Sequence, residues 1–144
     1  MDTLTPAARS RLMSRIRSKD TQPEFVVRRL AHRAGYRYRL HQRDLPGTPD
    51  LVFPGRRKVV FVHGCFWHKH PGCAISRTPR SRRDYWLPKL QGNRRRDAQN
   101  VRLLQSNGWA VKVIWECETR EPAGLERRLK DFLGRSRPVA RISR

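Results

Sequence analysis

Leu45-Pro46-Gly47-Thr48-Pro49 is a cluster of turn-forming residues, and the two runs after it set the architecture: Asp50-Leu51-Val52-Phe53-Pro54-Gly55 and Lys58-Val59-Val60-Phe61-Val62-His63. Pro and Gly at both ends confine Asp50-Leu51-Val52-Phe53 to a short strand. The second run is the most apolar part of the chain and rich in Val, so it reads as a buried central strand. Residues 109–115, carrying Val111, Val113 and Ile114 between two tryptophans, read as another buried strand. Tyr36-Arg37-Tyr38-Arg39-Leu40 alternates with period two and predicts a strand ahead of the turn cluster, in a hairpin or meander.

Helical signals surround these strands. Thr21-Gln22-Pro23-Glu24 has the capping-box form, with Phe25, Val26, Leu30 and Ala34 on one apolar face and Gly35 as the stop. Thr5-Pro6 opens an earlier helical arm over about residues 5–19, with Leu12, Met13 and Ile16 at helical spacing. Residues 85–105 read as mostly helical, interrupted near Pro88 and Gly92 and closed by Asn107-Gly108. Leu125, Leu129, Phe132 and Leu133 mark a last helix. Residues 64–83 show no period and read as loop, and the basic stretch 134–144 reads as a disordered tail. The order predicts one α/β domain over residues 1–133, a mixed central sheet of about four strands flanked by helices on both faces.

The 144 residues suffice for one core and are too few for two comfortable ones. Thirty-three Lys and Arg against twelve Asp and Glu leave a net charge of +21, which a polyanion would offset, and nucleic acid is the usual one. No amphipathic helix combines a wide apolar face with a basic rim, which argues against a membrane surface. The longest apolar run, residues 59–62, is far short of a span, and no apolar leader marks the N-terminus for export, so the expected location is the cytoplasm. Nothing signals a dimer interface, so a monomer is expected.

The densest chemistry is His63-Gly64-Cys65-Phe66-Trp67-His68-Lys69-His70-Pro71-Gly72-Cys73. Three cysteines make a poor disulfide framework in a reducing compartment. Zinc prefers four thiolate and imidazole ligands in a tetrahedron, and Cys65, His70, Cys73 and Cys117 supply such a set. The site would staple the loop to the end of the 109–115 strand. The competing reading is a core cysteine at position 117 and surface histidines. If zinc takes those four, His63 and His68 are left over. Cleaving a phosphodiester needs a divalent cation, and hard cations seek carboxylate and carbonyl oxygens. Asp50 stands out as an acid at the start of a strand, close to a backbone carbonyl and to His63 if the two strands pair.

Pro46-Gly47-Thr48-Pro49-Asp50, Phe61-Val62-His63-Gly64-Cys65-Phe66-Trp67-His68 and Trp115-Glu116-Cys117 resemble the very-short-patch repair (Vsr) endonuclease family. Met13-Ser14-Arg15-Ile16-Arg17-Ser18-Lys19 and Arg94-Arg95-Arg96-Asp97 are similar to it too, and the likeness runs over about residues 9–118. The resemblance implies the PD-(D/E)XK, restriction-endonuclease-like fold, with Phe61-Val62-His63 where that superfamily usually has an acid, any residue and lysine. It implies a Mg²⁺-dependent enzyme that nicks one strand at T:G mismatches left by 5-methylcytosine deamination. Such an enzyme would act on double-stranded DNA near the nucleoid, beside other mismatch-repair proteins and a polymerase.

The resemblance also assigns roles. Asp50 would be the central Mg²⁺ ligand, with the carbonyl of Val62 as a second. His68 would be the general base on the attacking water, and His63 would support the cation's waters and the scissile phosphate. Glu24 would act through the cation's outer shell, and Asp97 would hydrogen-bond to an active-site histidine. Phe66, Trp67 and Trp86 would wedge into the duplex, where a mispaired step costs less to unstack. Met13 and Arg15 join the DNA-binding set.

Plainer readings stand beside these: Glu24 as a helix cap, Asp97 as a surface acid among arginines, Trp86 as core. His32 and His41 read as ordinary surface residues. Two other functions remain open: a nuclease of this fold with a different DNA target, and a zinc-containing DNA-binding module without activity.

Overall fold

The computed structural model describes residues 20–74 and 81–135. The expected arm at 5–19, with Met13 and Arg15, and residues 136–144 of the expected tail lie outside the described residues. Among the described residues three helices, α1 (Gln22–Arg33), α2 (Arg83–Ser106) and α3 (Pro122–Leu133), surround a four-stranded mixed sheet. Its strands β1 (Arg39–Leu40), β2 (Leu51–Phe53), β3 (Lys58–His63) and β4 (Ala110–Trp115) lie in sequence order. β1, β2 and β3 form an antiparallel meander, and β4 pairs parallel to β3. The long crossover between β3 and β4 carries α2, as a parallel connection requires.

Side-chain alternation divides the core. Leu51, Phe53, Val60, Val62 and Ile114 face α1 and α3, where they meet Val27, Leu30, Ala31, Leu125, Leu129 and Leu133. Val52, Val59 and Phe61 face the other way, onto Leu104 of α2. Helices thus cover both faces, as expected.

The capping box of α1 is formed: Thr21 Oγ1 accepts from Glu24 N at 3.4 Å, and Glu24 Oε2 accepts from Thr21 N at 3.4 Å. Its apolar face is rotated from the expected one. Val27 and Ala31 are buried with Leu30, while Phe25 is exposed beneath the Arg28 guanidinium.

Other elements differ from expectation for physical reasons. The 36–40 strand shrinks to Arg39–Leu40, because Tyr36 N bonds Ala31 O in closing α1 and only two residues reach β2. α2 runs unbroken through Pro88 and Gly92. The roughly 3 kcal/mol that an interior proline costs is outweighed by burial of Trp86, Leu90 and Leu104 on this helix. β4 is less buried than expected; Ile114 alone is fully covered, because β4 is an edge strand.

Candidate active site

The candidate site residues meet at one end of the sheet. His63 closes β3 opposite Trp115 at the end of the parallel β4, and the antiparallel β2 begins at this same end, just after Asp50. Parity then chooses the face. Asp50 shares its side of β2 with Val52, and His63 shares its side of β3 with Phe61, so both project toward α2. There a cleft of about 420 Å³ is lined by His41, Asp50, Val62, His63, His68, Asp97 and Asn100, among others. The turn before Asp50 is tight: Gly47 has φ +76°, and a Cβ there would lie 2.9 Å from the Asn100 amide nitrogen.

Asp50 Oδ2 accepts a hydrogen bond from Val62 N at 2.6 Å. A residue in a strand directs its N–H and C=O to the same side, so the Val62 carbonyl also faces the space beyond β2. Burial pushes the Asp50 carboxyl up to about 7; the Val62 N–H opposes this, Glu24 adds to it, and Arg28 opposes it. This carboxylate is held in a place that disfavours its own charge, which is where a cation gains most.

His63 and His68 stack face to face, ring centroids 3.9 Å apart and 8° from parallel. Burial, reinforced by repulsion from His68 and opposed by Asp97, holds His63 down at about 4, so its ring is neutral near pH 7. His63 Nδ1 is buried with no hydrogen-bond partner among the described residues. His68 Nδ1 lies 2.6 Å from Asp97 Oδ2, contributed by α2. A carboxylate only accepts, so Nδ1 carries the proton and the neutral ring keeps its lone pair on Nε2.

The second cluster abuts the first. Ligand atoms of Cys65, His70, Cys73 and Cys117 all lie within 4.8 Å of one another, and the group could hold a metal ion. His70 Nδ1 is 3.6 Å from Cys65 Sγ and 3.5 Å from Cys117 Sγ. Tetrahedral zinc, with bonds near 2.3 Å to sulfur and 2.0 Å to nitrogen, sets such pairs about 3.5 Å apart. Cys117 N donates to Cys65 Sγ, Cys65 N donates to Glu116 Oε1, and the His70 ring stacks on Trp115 at 4.2 Å. Gly72, at φ +73°, turns the chain before Cys73. Without a cation, burial drives the Cys65 thiol up to about 12.

Phe66, Trp67 and Trp86 form one aromatic cluster, with centroids 5.1–5.9 Å apart. Trp86 is buried at its base, and Phe66 and Trp67 are half-buried. Glu24 does not line the cleft; its carboxylate bonds Thr21, Asp20 N and Arg28.

The expected surface role of His41 is overturned. Its side chain is 17% exposed and lies between Asp50 and Glu24. Its backbone N donates to Asp50 O at 3.5 Å, just past the last β1–β2 pair. Sequence reasoning had no signal for this, because the long connection from His41 to Asp50 imposes no register. Arg28, part-buried beside the same groups, was missed for the same reason.

A profile of the family described as DNA mismatch endonuclease Vsr matches residues 1–74. The chain is similar to the type II nicking enzyme V.XorIIP of Xanthomonas oryzae, 54% identical over 132 residues covering 92% of this chain and 96% of that one. It is 41% identical to the type II nicking enzyme V.NmeAIP of Neisseria meningitidis over 89% of this chain and 91% of the relative. It is also 39% identical to the DNA mismatch endonuclease Vsr of Escherichia coli, over 83% of this chain and 76% of that protein. Among the described residues no helix is long and apolar enough to cross a membrane. A binding module without activity is thereby set aside: the chain belongs to the DNA mismatch endonuclease Vsr family and is a DNA-nicking endonuclease.

Proposed function

We propose that this enzyme nicks one strand of duplex DNA at a T:G mispair left by deamination of 5-methylcytosine, using Mg²⁺ at Asp50 and a structural Zn²⁺ in the cysteine cluster. The observation that carries the catalytic part is the convergence of Asp50, His63 and the His68–Asp97 pair on one cleft. The mispair itself is supported by similarity to a protein named as a mismatch endonuclease.

Asp50 and the Val62 carbonyl fit a hard cation, being a desolvated carboxylate beside a carbonyl oxygen. Bound there, Mg²⁺ would neutralise charge on the phosphate and on the leaving oxygen. Asp97 orients His68 so that Nε2 takes the proton of the attacking water. His63, neutral and lining the cleft, holds water or a phosphate oxygen there. Glu24 acts at one remove, through His41 and ordered water. Cys65, His70, Cys73 and Cys117 fit Zn²⁺ by donor type and spacing. Its place is to fix residues 64–74 on the end of β4, and with them His68.

Phe66 and Trp67 supply the wedge, backed by Trp86, and Met13 and Arg15 belong to an N-terminal DNA-gripping arm. A monomer in the cytoplasm, working on nucleoid DNA ahead of repair partners and a polymerase, completes the reading.

The test is nicking of end-labelled duplexes carrying T:G, other mispairs or none, with Mg²⁺, by wild type and Asp50→Ala. The reading expects a nick on T:G substrate by wild type alone. Equal cutting by Asp50→Ala sinks the catalytic assignment. Indifference of wild type to T:G favours the second reading, a nuclease with another DNA target.

A further inference from the structure

We propose that His41 is a positioning residue that orients the Asp50 carboxylate toward its cation, tying it to the part-buried Arg28–Glu24 ion pair. The inference rests on the proposed role of Asp50 as cation ligand.

The end of β1 places His41 there. Arg39 pairs with Val52 and Leu40 with Leu51, and His41 N, just past the last pair, donates to Asp50 O at 3.5 Å. The His41 ring fills the gap between Asp50 and α1. Its Nδ1 is 3.7 Å from Asp50 Oδ1, while its Nε2 is 3.0 Å from Arg28 Nη2 and 3.3 Å from Glu24 Oε1. Asp20 Oδ1 lies 3.5 Å from the same Nε2.

A guanidinium has no acceptor, so a neutral ring that bonds Arg28 through Nε2 accepts there and carries its proton on Nδ1. Nδ1 then faces Asp50 Oδ1 at 3.7 Å, an electrostatic contact too long for a hydrogen bond, while Val62 N holds Oδ2. The carboxylate is thus bonded at one oxygen and faced at the other by the His41 N–H before a cation arrives. Arg28 Nη2 in turn bonds Asp20 at 2.7 Å and Glu24 at 3.1 Å. Partners of this kind behind a metal ligand typically contribute about 10–100-fold in metal affinity.

Two replacements separate the polar role from packing. His41→Leu fills similar space with no polar atom. In His41→Gln one amide can accept from Arg28 and donate to Asp50. Both carry the same penalty for the left-handed backbone at this position, φ +46°, so the difference between them isolates the polar contacts.

The measurement is Mn²⁺ binding, by electron paramagnetic resonance, to the protein on a duplex whose scissile phosphate resists hydrolysis, with thermal melts alongside. Expected are loss of bound Mn²⁺ at this site in Asp50→Ala, about tenfold or greater weakening in His41→Leu, and recovery to within a few-fold of wild type in His41→Gln. Wild-type Mn²⁺ affinity in His41→Leu, with binding lost in Asp50→Ala, overturns the role of His41 and leaves that of Asp50 intact. Undiminished binding in Asp50→Ala overturns the Asp50 reading itself. Equal weakening in both His41 variants, with equally lowered melts, makes His41 a packing residue and refutes the inference.

Discussion

Replacing Asp50 by Asn should stabilise the cation-free enzyme while abolishing its activity. Asn keeps the shape and can still accept from Val62 N, but it removes a charge that burial opposes. The folded-state value of about 7 stands above the ordinary 3.8, so the folded protein binds the proton more tightly than the unfolded chain. The charged carboxylate therefore costs stability progressively as pH rises from about 4 to about 7, and the full cost persists above that. With 1.36 kcal/mol per unit, the penalty relieved by Asn is about 1.5 kcal/mol at pH 5 and at most about 4 kcal/mol at pH 8. The second figure corresponds to a rise in melting temperature on the order of 10 °C for a chain of this size. Melts of wild type and Asp50→Asn at pH 5, 6, 7 and 8, without divalent cation and then with Mg²⁺, read this directly. The gap should widen with pH, and Mg²⁺ should raise the wild-type melt while leaving the variant unmoved. A variant less stable than wild type at pH 8, or a gap independent of pH, would refute the desolvation argument.

Asp97→Asn should leave the melt within about 1 kcal/mol of wild type and lower the single-turnover nicking rate about 10²–10⁴-fold. Its amide can donate to His68 Nδ1 and so move the lone pair away from Nε2. A rate within threefold of wild type would remove His68–Asp97 from the mechanism. Cys117→Ser should lose its metal by elemental analysis and melt at much lower temperature, because that thiol joins residues 64–74 to the end of β4. A zinc-loaded, normally melting variant would take Cys117 out of the ligand set. Leu125→Ala, at a fully buried position between α3 and the sheet, should cost about 2–5 kcal/mol in urea unfolding without changing the nicking preference. DNA affinity should fall about 10³-fold or more between 50 and 200 mM salt if six or more phosphates are neutralised; a flat response would take the basic surface out of binding.

How far the sequence carried depends on the range of the interaction concerned. β3 was legible because its Val-rich apolar run, in which the five residues from Val59 to His63 are all buried, leaves little alternative to a central strand. The cap of α1 was legible because Thr21 and Glu24 are three residues apart. The cysteine cluster was legible because donor types restrict what can hold them together, even though Cys117 lies far along the chain from Cys65. Length misled where neighbours decide. The Tyr36–Leu40 alternation looked like a full strand, yet its first residue was already spent on closing α1. Pro88 looked like a break, yet burial of the helix face on either side carried α2 through it.

Local pattern thus determined the strands flanking Asp50 and the capped helix before them, and donor type singled out the Cys3His set and the histidines it leaves over. The tertiary structure decided which groups those residues meet. His68 finds Asp97 because α2 lies across the face toward which β3 turns its odd-numbered residues. His41 finds Asp50 because β1 pairs with β2 in one register out of several that the connecting turn would permit. Strand periodicity and donor chemistry act over a few bonds and survive in the one-dimensional string. Register, desolvation and the partner of a given carboxylate depend on chain segments brought together only by packing.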